Sequence, residues 1–361
     1  MAYRLGQGEL AAEIDALVAA ASDNPNDDLI REMLVTVLKL HRDGADRADL
    51  LQVNTALKEL RFTNLAFSPH RGQPKVTIFG SARTPPDAPE YEMAKVFARE
   101  MAALGWGVIT GAGPGIMAAG NEGAGAESSY GIKIRLPFEA EANEWLGPNR
   151  VINYKYFFTR KLGLVKEAHG FAIFPGGFGT MDEAFEFLTL VQTGKSDMHP
   201  IVLLEPEGGD YWSSFLEFVT SQLGDRGLIR AEDLDLFTIT HDVYEGIDEI
   251  CGFYRNYQSQ RYVDDLLVLR VVEAPDADAL GRLSAEFADI VEAGAIERIA
   301  PTEVEIAEED ELGRERVAFR FDRRSFGRLR QLIDRLNDLI PPTHQVLPPH
   351  PFTEEQQDRP W

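Results

Sequence analysis

The spacing of apolar residues changes along the chain and divides it into regions. Up to about residue 72, apolar side chains recur every three or four positions in three stripes, which predicts amphipathic helices. From Lys75 onward, short apolar runs alternate with helical stripes, which predicts a mostly parallel sheet covered by helices. After Asn256 the order becomes β-α-β-β-α, with residues 304–306 predicted as a strand, and this order is typical of a ferredoxin-like or ACT-like module.

We therefore expect an α/β protein with a doubly wound parallel sheet, preceded by a helical segment and followed by a small α+β module. The predicted regions are a helical extension at 1–72, the parallel-sheet domain at 73–258, the α+β module at 259–340 and a proline-rich tail at 341–361. Ligands of such sheets bind beyond the carboxyl ends of the strands.

Three glycine loops fall at such strand ends: Gly80-Ser81, Gly111-Ala-Gly113-Pro-Gly115, and Gly176-Gly177-Phe-Gly179-Thr180. The third loop opens a helix, where unpaired N–H groups and the helix dipole favour an anion such as phosphate. Thr180 adds a hydroxyl, and Glu183, one turn later, can direct a carboxylate toward the ligand. The third loop alone is equally consistent with a plain turn, but three loops at strand ends favour a ligand site.

Composition narrows the class of protein. The net charge of −23 over 361 residues argues against binding to nucleic acid or to an anionic membrane. Cys251 is the only cysteine, which excludes an internal disulfide and a cysteine-based metal site, and the seven histidines show no ligand spacing. The sequence has no apolar signal core and no apolar run of membrane-spanning length, so we expect a cytoplasmic protein without a bound metal.

Two further motifs do not carry the function that they suggest at first sight. The spacing Gly111-x-Gly113-x-Gly115 differs from the dinucleotide fingerprint, whose last glycine comes one residue later. Gly194-Lys195-Ser196 lacks the earlier glycine of a phosphate-binding P-loop, because Thr189 occupies that position. We expect neither NAD nor ATP, and no other cofactor.

Basic residues are concentrated in two stretches of this acidic chain. Residues 150–166 hold five basic side chains and no acidic one, and the guanidinium of Arg160 with neighbouring Lys161 suits a phosphate or a carboxylate. The alternative is a solvated helix face. The second stretch predicts either pairing with acidic residues elsewhere or an anionic effector site, and its arginines are Arg314, Arg316, Arg320, Arg323, Arg324, Arg328 and Arg330.

Four motifs taken together resemble the Lonely Guy (LOG) family over about residues 75–205. They are Phe79-Gly-Ser-Ala82, Thr110-Gly-Ala-Gly-Pro-Gly-Ile-Met117, Arg160-Lys161 and Pro175-Gly-Gly-x-Gly-Thr-x-x-Glu183. The resemblance implies a Rossmann-like nucleotide-binding catalytic domain in a homodimer or higher homo-oligomer. It also implies hydrolysis of the N-glycosidic bond of a nucleoside 5′-monophosphate, such as AMP or a cytokinin nucleotide, to free base and ribose 5-phosphate.

The same resemblance assigns roles to residues. Arg160 and Glu183 are implied as the catalytic pair. The implied substrate-binding residues are Gly80, Ser81, Gly111, Gly113, Gly115, Met117, Lys161, Gly176, Gly177, Gly179 and Thr180. One departure is Ala112, where a glycine is common in the family.

Two alternatives stay open at this point. Molybdenum cofactor carrier proteins resemble this fold, and a loop of this type can hold a phosphate without catalysis. Members of the family are also often labelled lysine decarboxylases, and that activity needs a lysine that forms an imine with pyridoxal phosphate.

Overall fold

The computed structural model describes residues 9–21, 26–136, 141–147 and 149–341. The predicted tail lies outside the described residues, apart from residue 341. The chain forms two compact units, Met1–Arg61 and Phe62–Trp361. The domain boundaries expected at residues 72 and 258 stay predictions.

The first part of the chain is helical, as the apolar stripes predict. Its helices are α1 (Glu9–Ala21), α2 (Asp27–Arg42) and α3 (Arg47–Phe67). α1 and α2 pack through a small apolar cluster of Ile14, Val18 and Val35.

The second unit begins with alternating strands and helices. The strands are β1 (Lys75–Phe79), β2 (Gly107–Thr110), β3 (Ser129–Ile134), β4 (Val151–Tyr154), β5 (Gly170–Ile173), β6 (Ile201–Leu204) and β7 (Thr238–Thr240). The helices between and after them are α4 (Pro89–Ala103), α5 (Ile116–Ser128), α6 (Phe157–Lys166), α7 (Phe178–Gln192), α8 (Tyr211–Phe218) and α9 (Val243–Phe253). Among the described residues, no helix is long and apolar enough to cross a membrane.

The strands form one parallel sheet in the order β4-β3-β2-β1-β5-β6-β7, which confirms the predicted doubly wound architecture. Chain order runs outward from β1 in one direction and then restarts at β5 on its other side. The strand order therefore reverses between β1 and β5, and such a switch point is where ligands of open α/β sheets bind. Every residue of β1 and β5 is buried, as expected for central parallel strands covered on both faces.

The C-terminal part contains a second sheet and confirms the predicted α+β module. Its elements are β8 (Tyr257–Val263), β9 (Leu266–Val271), α10 (Ala277–Glu286), β10 (Val291–Ile299), α11 (Glu303–Ala307), β11 (Glu315–Phe321) and α12 (Phe326–Asp338). The strands are antiparallel neighbours in the order β10-β11-β9-β8. β9, α10 and β10 form a split β-α-β unit around β11, and β8 completes the sheet at the edge next to β9.

The strand predicted at 304–306 is wrong, because these residues lie in α11. Thr302 and Glu305 form a capping box at its start: the Glu305 carboxylate accepts from the Thr302 N–H at 3.0 Å, and Thr302 Oγ1 accepts from the Glu305 N–H at 3.3 Å. This local capping outweighs the short apolar alternation. The strand that takes this place in the order is β10, which ends before these residues.

The packing of α4 on α5 gives a test of the fold. A Cβ at Gly123 would overlap the Lys95 carbonyl oxygen and lie 3.1 Å from the Arg99 nitrogen, so the two helix backbones touch at this glycine. We expect Gly123→Ala to lower the free energy of unfolding by about 1–3 kcal/mol, measured by chemical denaturation, because rigid backbone must move.

Gly281→Ala is the matched control. Gly281 lies on the exposed side of α10, and a Cβ there would meet no atom within 4 Å. Its replacement should raise stability by about 0.5–1 kcal/mol. Equal effects of the two substitutions would contradict the close approach of α4 and α5.

Candidate active site

The three glycine loops meet because their strands, β2, β1 and β5, are neighbours in the sheet. The N–H of Ser81 donates to the Pro175 carbonyl at 3.1 Å, and the Ser81 carbonyl accepts from the Ile116 N–H at 3.0 Å. Ser81 thus joins the first loop to both of the others. The structure therefore brings together loops that are separated by about 30 and 95 residues in sequence.

Glycine is required where these loops approach most closely. Gly115 has φ +65°, and a Cβ there would overlap the Ser81 carbonyl oxygen. A Cβ at Gly176 would overlap Thr180 Oγ1 and lie 3.0 Å from the Ser81 nitrogen. Any larger residue at either position would push the loops apart.

The second loop borders both Arg160 and Met117. A Cβ at Gly111 would lie 2.6 Å from Arg160 Nη2 and 2.6 Å from Met117 Sδ. Gly113 also lies against Met117, whose terminal methyl would be 2.6 Å from a Cβ there. The absence of a side chain at Gly111 leaves the room that the guanidinium occupies.

The third loop leads directly into α7. The helix begins at Phe178, and the Thr180 N–H donates to the Gly177 carbonyl at 3.0 Å. A Cβ at Gly177 or Gly179 would meet no described atom within 4 Å, and the Phe178 side chain is 97% exposed. The start of a 15-residue helix therefore has an open approach. Gly80, by contrast, packs against the Ile116 side chain.

The predicted catalytic residues are adjacent in space although they come from different helices. Arg160 Nη1 of α6 lies 3.9 Å from Glu183 Oε1 of α7, and the side chains are only 12% and 5% exposed. Arg160 Nε donates to the Ile132 carbonyl at 3.1 Å, which fixes the guanidinium plane. Among the described residues, Glu183 Oε2 has no hydrogen-bond partner, so this buried oxygen is available to a ligand.

Burial dominates the electrostatics of the pair. It raises the pKa of Glu183 to about 7, and the positive charges of Arg160 and Lys161 lower that pKa less than burial raises it. A buried carboxyl group with a pKa near neutrality is typical of functional sites.

Lys161 engages α7 rather than standing free beside the loops. Its Nζ lies 2.9 Å from Asp182 Oδ2 and 2.6 Å from Glu186 Oε2. Burial lowers the pKa of Lys161, but hydrogen bonds with Glu186 and Asp182 raise it more, so the net shift is upward. The ammonium group is therefore held in its charged form, and the nucleotide-binding role of Lys161 stays a prediction.

Several residues that shape the loops could not be identified from sequence patterns. The Tyr211 hydroxyl of α8 donates to the Gly176 carbonyl at 2.6 Å. Asn143 Nδ2 donates to the Gly113 carbonyl at 3.1 Å and to Asn121 Oδ1 at 3.0 Å. These partners are 22 to 35 residues apart in sequence, so no local spacing could reveal them.

Ala112, the position where the family pattern has a glycine, adopts φ +62°. This left-handed conformation costs a non-glycine residue roughly 1–2 kcal/mol. The Ala112 N–H donates to Thr110 Oγ1 at 3.0 Å, and its carbonyl accepts from the Asn143 N–H at 3.0 Å. These bonds hold the strained residue in the same turn that a glycine would adopt freely.

The arginines of the C-terminal module do not gather into one site. Six of the seven, all within the described part of the chain, have carboxylate or carbonyl partners: Arg314 with Glu311, Arg316 with Glu305, Arg320 with Asp265, Arg323 with the Asp264 carbonyl, Arg328 with Asp289, and Arg330 with Glu249 and Asp334. This favours pairing with acidic residues, and the anionic effector stays a prediction.

The model of the family described as "Possible lysine decarboxylase" matches residues 114–250, which carry the third loop and the Arg160–Glu183 pair. Residues 114–250 are therefore similar to the Lonely Guy family. The match confirms the resemblance that the four motifs indicate. It leaves the helical N-terminal segment and the C-terminal α+β module outside the matched Lonely Guy region.

Curated relatives match a part of the chain. A pyrimidine/purine nucleotide 5′-monophosphate nucleosidase of Escherichia coli K12 is 30% identical over 150 residues, which are 38% of this chain and 32% of the relative. A cytokinin riboside 5′-monophosphate phosphoribohydrolase of Arabidopsis thaliana is 40% identical over 60 residues, 17% of this chain and 27% of the relative. The chain thus matches about a third or less of the length of these curated relatives.

Solved structures with some likeness include two proteins that handle molybdenum cofactor. The molybdenum cofactor binding protein of Rippkaea orientalis gives a TM-score of 0.36 at 19% identity, covering 49% of this chain and 94% of its own. The molybdenum cofactor carrier protein of Chlamydomonas reinhardtii gives a TM-score of 0.35 at 22% identity. This match covers 48% of this chain and 93% of the carrier protein.

Because Glu183 is buried, we expect the stability of the protein to depend on pH. A group whose folded pKa is raised contributes stability below its unfolded pKa and loses it as pH rises through the folded value. For Glu183 that interval runs from the ordinary value of 4.5 to about 7. Glu183→Gln, which stays neutral, should therefore be more stable than the wild type at pH 8, by up to ~3 kcal/mol.

Chemical denaturation at pH 4.5, 6 and 8 checks this expectation. The additional stability of Glu183→Gln relative to the wild type should be small at pH 4.5 and should increase as the pH rises to 8. Glu217→Gln, which replaces an exposed carboxylate on α8, is the control and should show no such growth. A gain that is the same at every pH would contradict a raised pKa for Glu183.

Proposed function

We propose that the chain hydrolyses the N-glycosidic bond of a nucleoside 5′-monophosphate and releases the free base and ribose 5-phosphate. The observation that carries this proposal is the buried Arg160–Glu183 pair, 3.9 Å apart, beside glycine loops at the switch point of the sheet. The activities named for the curated relatives support the same reaction.

The third loop would bind the 5′-phosphate. The start of α7 offers unpaired N–H groups and the positive end of the helix dipole. The open space at Gly177 and Gly179 lets a phosphate reach the backbone, and Thr180 adds a hydroxyl. Anchoring the phosphate fixes the ribose relative to Glu183, one helical turn away.

Glu183 would stabilise the sugar during bond cleavage. As the C1′–N bond breaks, the base takes the bonding electrons and positive charge develops on the ribose, as in glycoside hydrolysis. The free oxygen Glu183 Oε2 can face that charge or accept a hydrogen bond from the attacking water, whose oxygen bonds to C1′ while its proton is transferred to the departing base. Arg160 favours the ionised carboxylate and orients it.

Lysine decarboxylation does not fit these residues. It requires an unprotonated lysine to form an imine with pyridoxal phosphate. Lys161, which neighbours the pair, is held between Asp182 and Glu186 with a raised pKa, and both effects disfavour a nucleophilic amine.

Assembly and location stay predictions. The resemblance to the Lonely Guy family favours a homodimer or higher homo-oligomer, and the sequence favours the cytoplasm. Binding of an anionic effector to the C-terminal module likewise stays a prediction.

The reaction can be tested with a panel of nucleoside 5′-monophosphates, including AMP and a cytokinin nucleotide. We expect the purified protein to release free base and ribose 5-phosphate from at least one of them, detected chromatographically. Glu183→Ala should lower kcat by at least 10²- to 10³-fold, the effect of removing one strong electrostatic contact, while nucleotide binding stays measurable.

Glu217→Ala, on the exposed side of α8, is the control and should keep full activity. Turnover retained in Glu183→Ala would reject the catalytic role of Glu183. Binding of nucleotides by the wild type without release of base from any of them would point to the carrier function instead.

The reaction should also require the ionised form of Glu183. Since burial raises the pKa of Glu183 to about 7, kcat/KM should fall about tenfold per pH unit below pH 7. The phosphate of the substrate titrates near pH 6 and also affects the pH dependence of kcat/KM. The affinity of Glu183→Ala for ribose 5-phosphate, measured over the same pH range, gives the contribution of the phosphate, which is then subtracted. Activity that rises toward acid pH would show that Glu183 acts in its protonated form.

A further inference from the structure

The peptide between Gly176 and Gly177 is held by a side-chain hydrogen bond from outside the loop. The Tyr211 hydroxyl donates to the Gly176 carbonyl at 2.6 Å. All peptide bonds of the described chain are trans, so the C=O and N–H of one peptide point in opposite directions. Fixing the Gly176 carbonyl toward Tyr211 therefore directs the Gly177 N–H to the other side.

This peptide needs an external lock because glycines flank it. Residues without Cβ can rotate the peptide plane between them with little steric cost, and a Cβ at Gly177 would meet no atom within 4 Å. A rotated plane would turn the Gly176 carbonyl oxygen toward the open side and the N–H away from it. A partial negative charge would then replace a donor at the anion site.

Tyr211 is itself firmly positioned. The carboxylate of Glu205, which follows β6 and is 1% exposed, accepts hydrogen bonds from the N–H groups of Tyr211 at 2.9 Å and Trp212 at 3.0 Å. The Tyr211 ring packs edge-on against Trp212, with ring centroids 4.8 Å apart. Glu205 thus fixes the start of α8, and α8 holds the hydroxyl against the loop.

We propose that Tyr211 is a positioning residue whose hydroxyl locks the Gly176–Gly177 peptide so that the Gly177 N–H faces the phosphate of the bound nucleotide. This inference rests on the proposed function for the identity of the anion. It adds α8 to the elements that build the phosphate site, although Tyr211 lies 35 residues from Gly176.

Tyr211→Phe removes only the hydroxyl and is the decisive variant. Binding is measured by calorimetry in the Glu183→Ala background, where turnover is slow compared with the measurement, with AMP, inorganic phosphate and adenosine as ligands. We expect affinity for AMP and phosphate to fall about five- to tenfold, the effect of losing one good hydrogen bond, and affinity for adenosine to stay unchanged.

In the active protein, Tyr211→Phe should raise KM for the nucleotide by a similar factor. The pH midpoint of kcat/KM should not move, because Glu183 is untouched. Tyr244→Phe is the matched control: Tyr244 lies on α9, is 60% exposed, and its replacement should change neither quantity.

Two results would contradict the proposed positioning role of Tyr211. One is unchanged affinity for AMP and phosphate in Tyr211→Phe. The other is an equal loss for adenosine together with a lower melting temperature, which would indicate a general structural role. A different result would contradict the proposed function: the wild type binds AMP but releases no base. In that case the affinities for AMP and inorganic phosphate, with and without Tyr211→Phe, still decide the role of Tyr211.

Discussion

The site depends on three backbone loops being held within hydrogen-bond distance of one another at the reversal of the strand order. Because β2, β1 and β5 are neighbours, the loops after them leave the same edge of the sheet. Ser81 bonds to the loop on each side, and glycines at 115 and 176 permit that approach. The placement of α5 and α7, and with α7 the carboxylate of Glu183, follows from this junction.

Burial of Glu183 is the energetic cost of the arrangement. At 3.9 Å the Arg160 guanidinium offsets only part of the desolvation of the carboxylate, and the pKa of about 7 reflects that imbalance. A shorter bidentate contact would stabilise the ionised form better but would occupy the oxygen that we propose contacts the ribose. This geometry therefore lowers the stability of the protein but leaves one oxygen of the carboxylate free. Such a loss of stability is common at active sites.

Features encoded by local patterns could be predicted, and features that depend on distant contacts could not. The glycine loops and the helix after the third loop follow from short motifs, and the Arg160–Glu183 candidates follow from the resemblance to the Lonely Guy family. The strand order does not, since nothing in sequence spacing says that β5 returns beside β1. Residues 304–306 were misassigned because their alternation hides a helix cap, and Tyr211 was missed because its partner lies 35 residues away.

The helix that carries Glu183 is also braced at its far end by the C-terminal module. Just beyond α7, Gly194 has φ +66°, and a Cβ there would overlap the Phe326 ring at the start of α12. Gln192 Nε2, at the last residue of α7, donates to Asp233 Oδ2 at 2.6 Å. One end of α7 is thus set by the glycine loops and the other by α12 and the Ala231–Leu236 segment. The module can therefore determine the position of Glu183 without touching the ligand, simply because a packed helix moves as a rigid element.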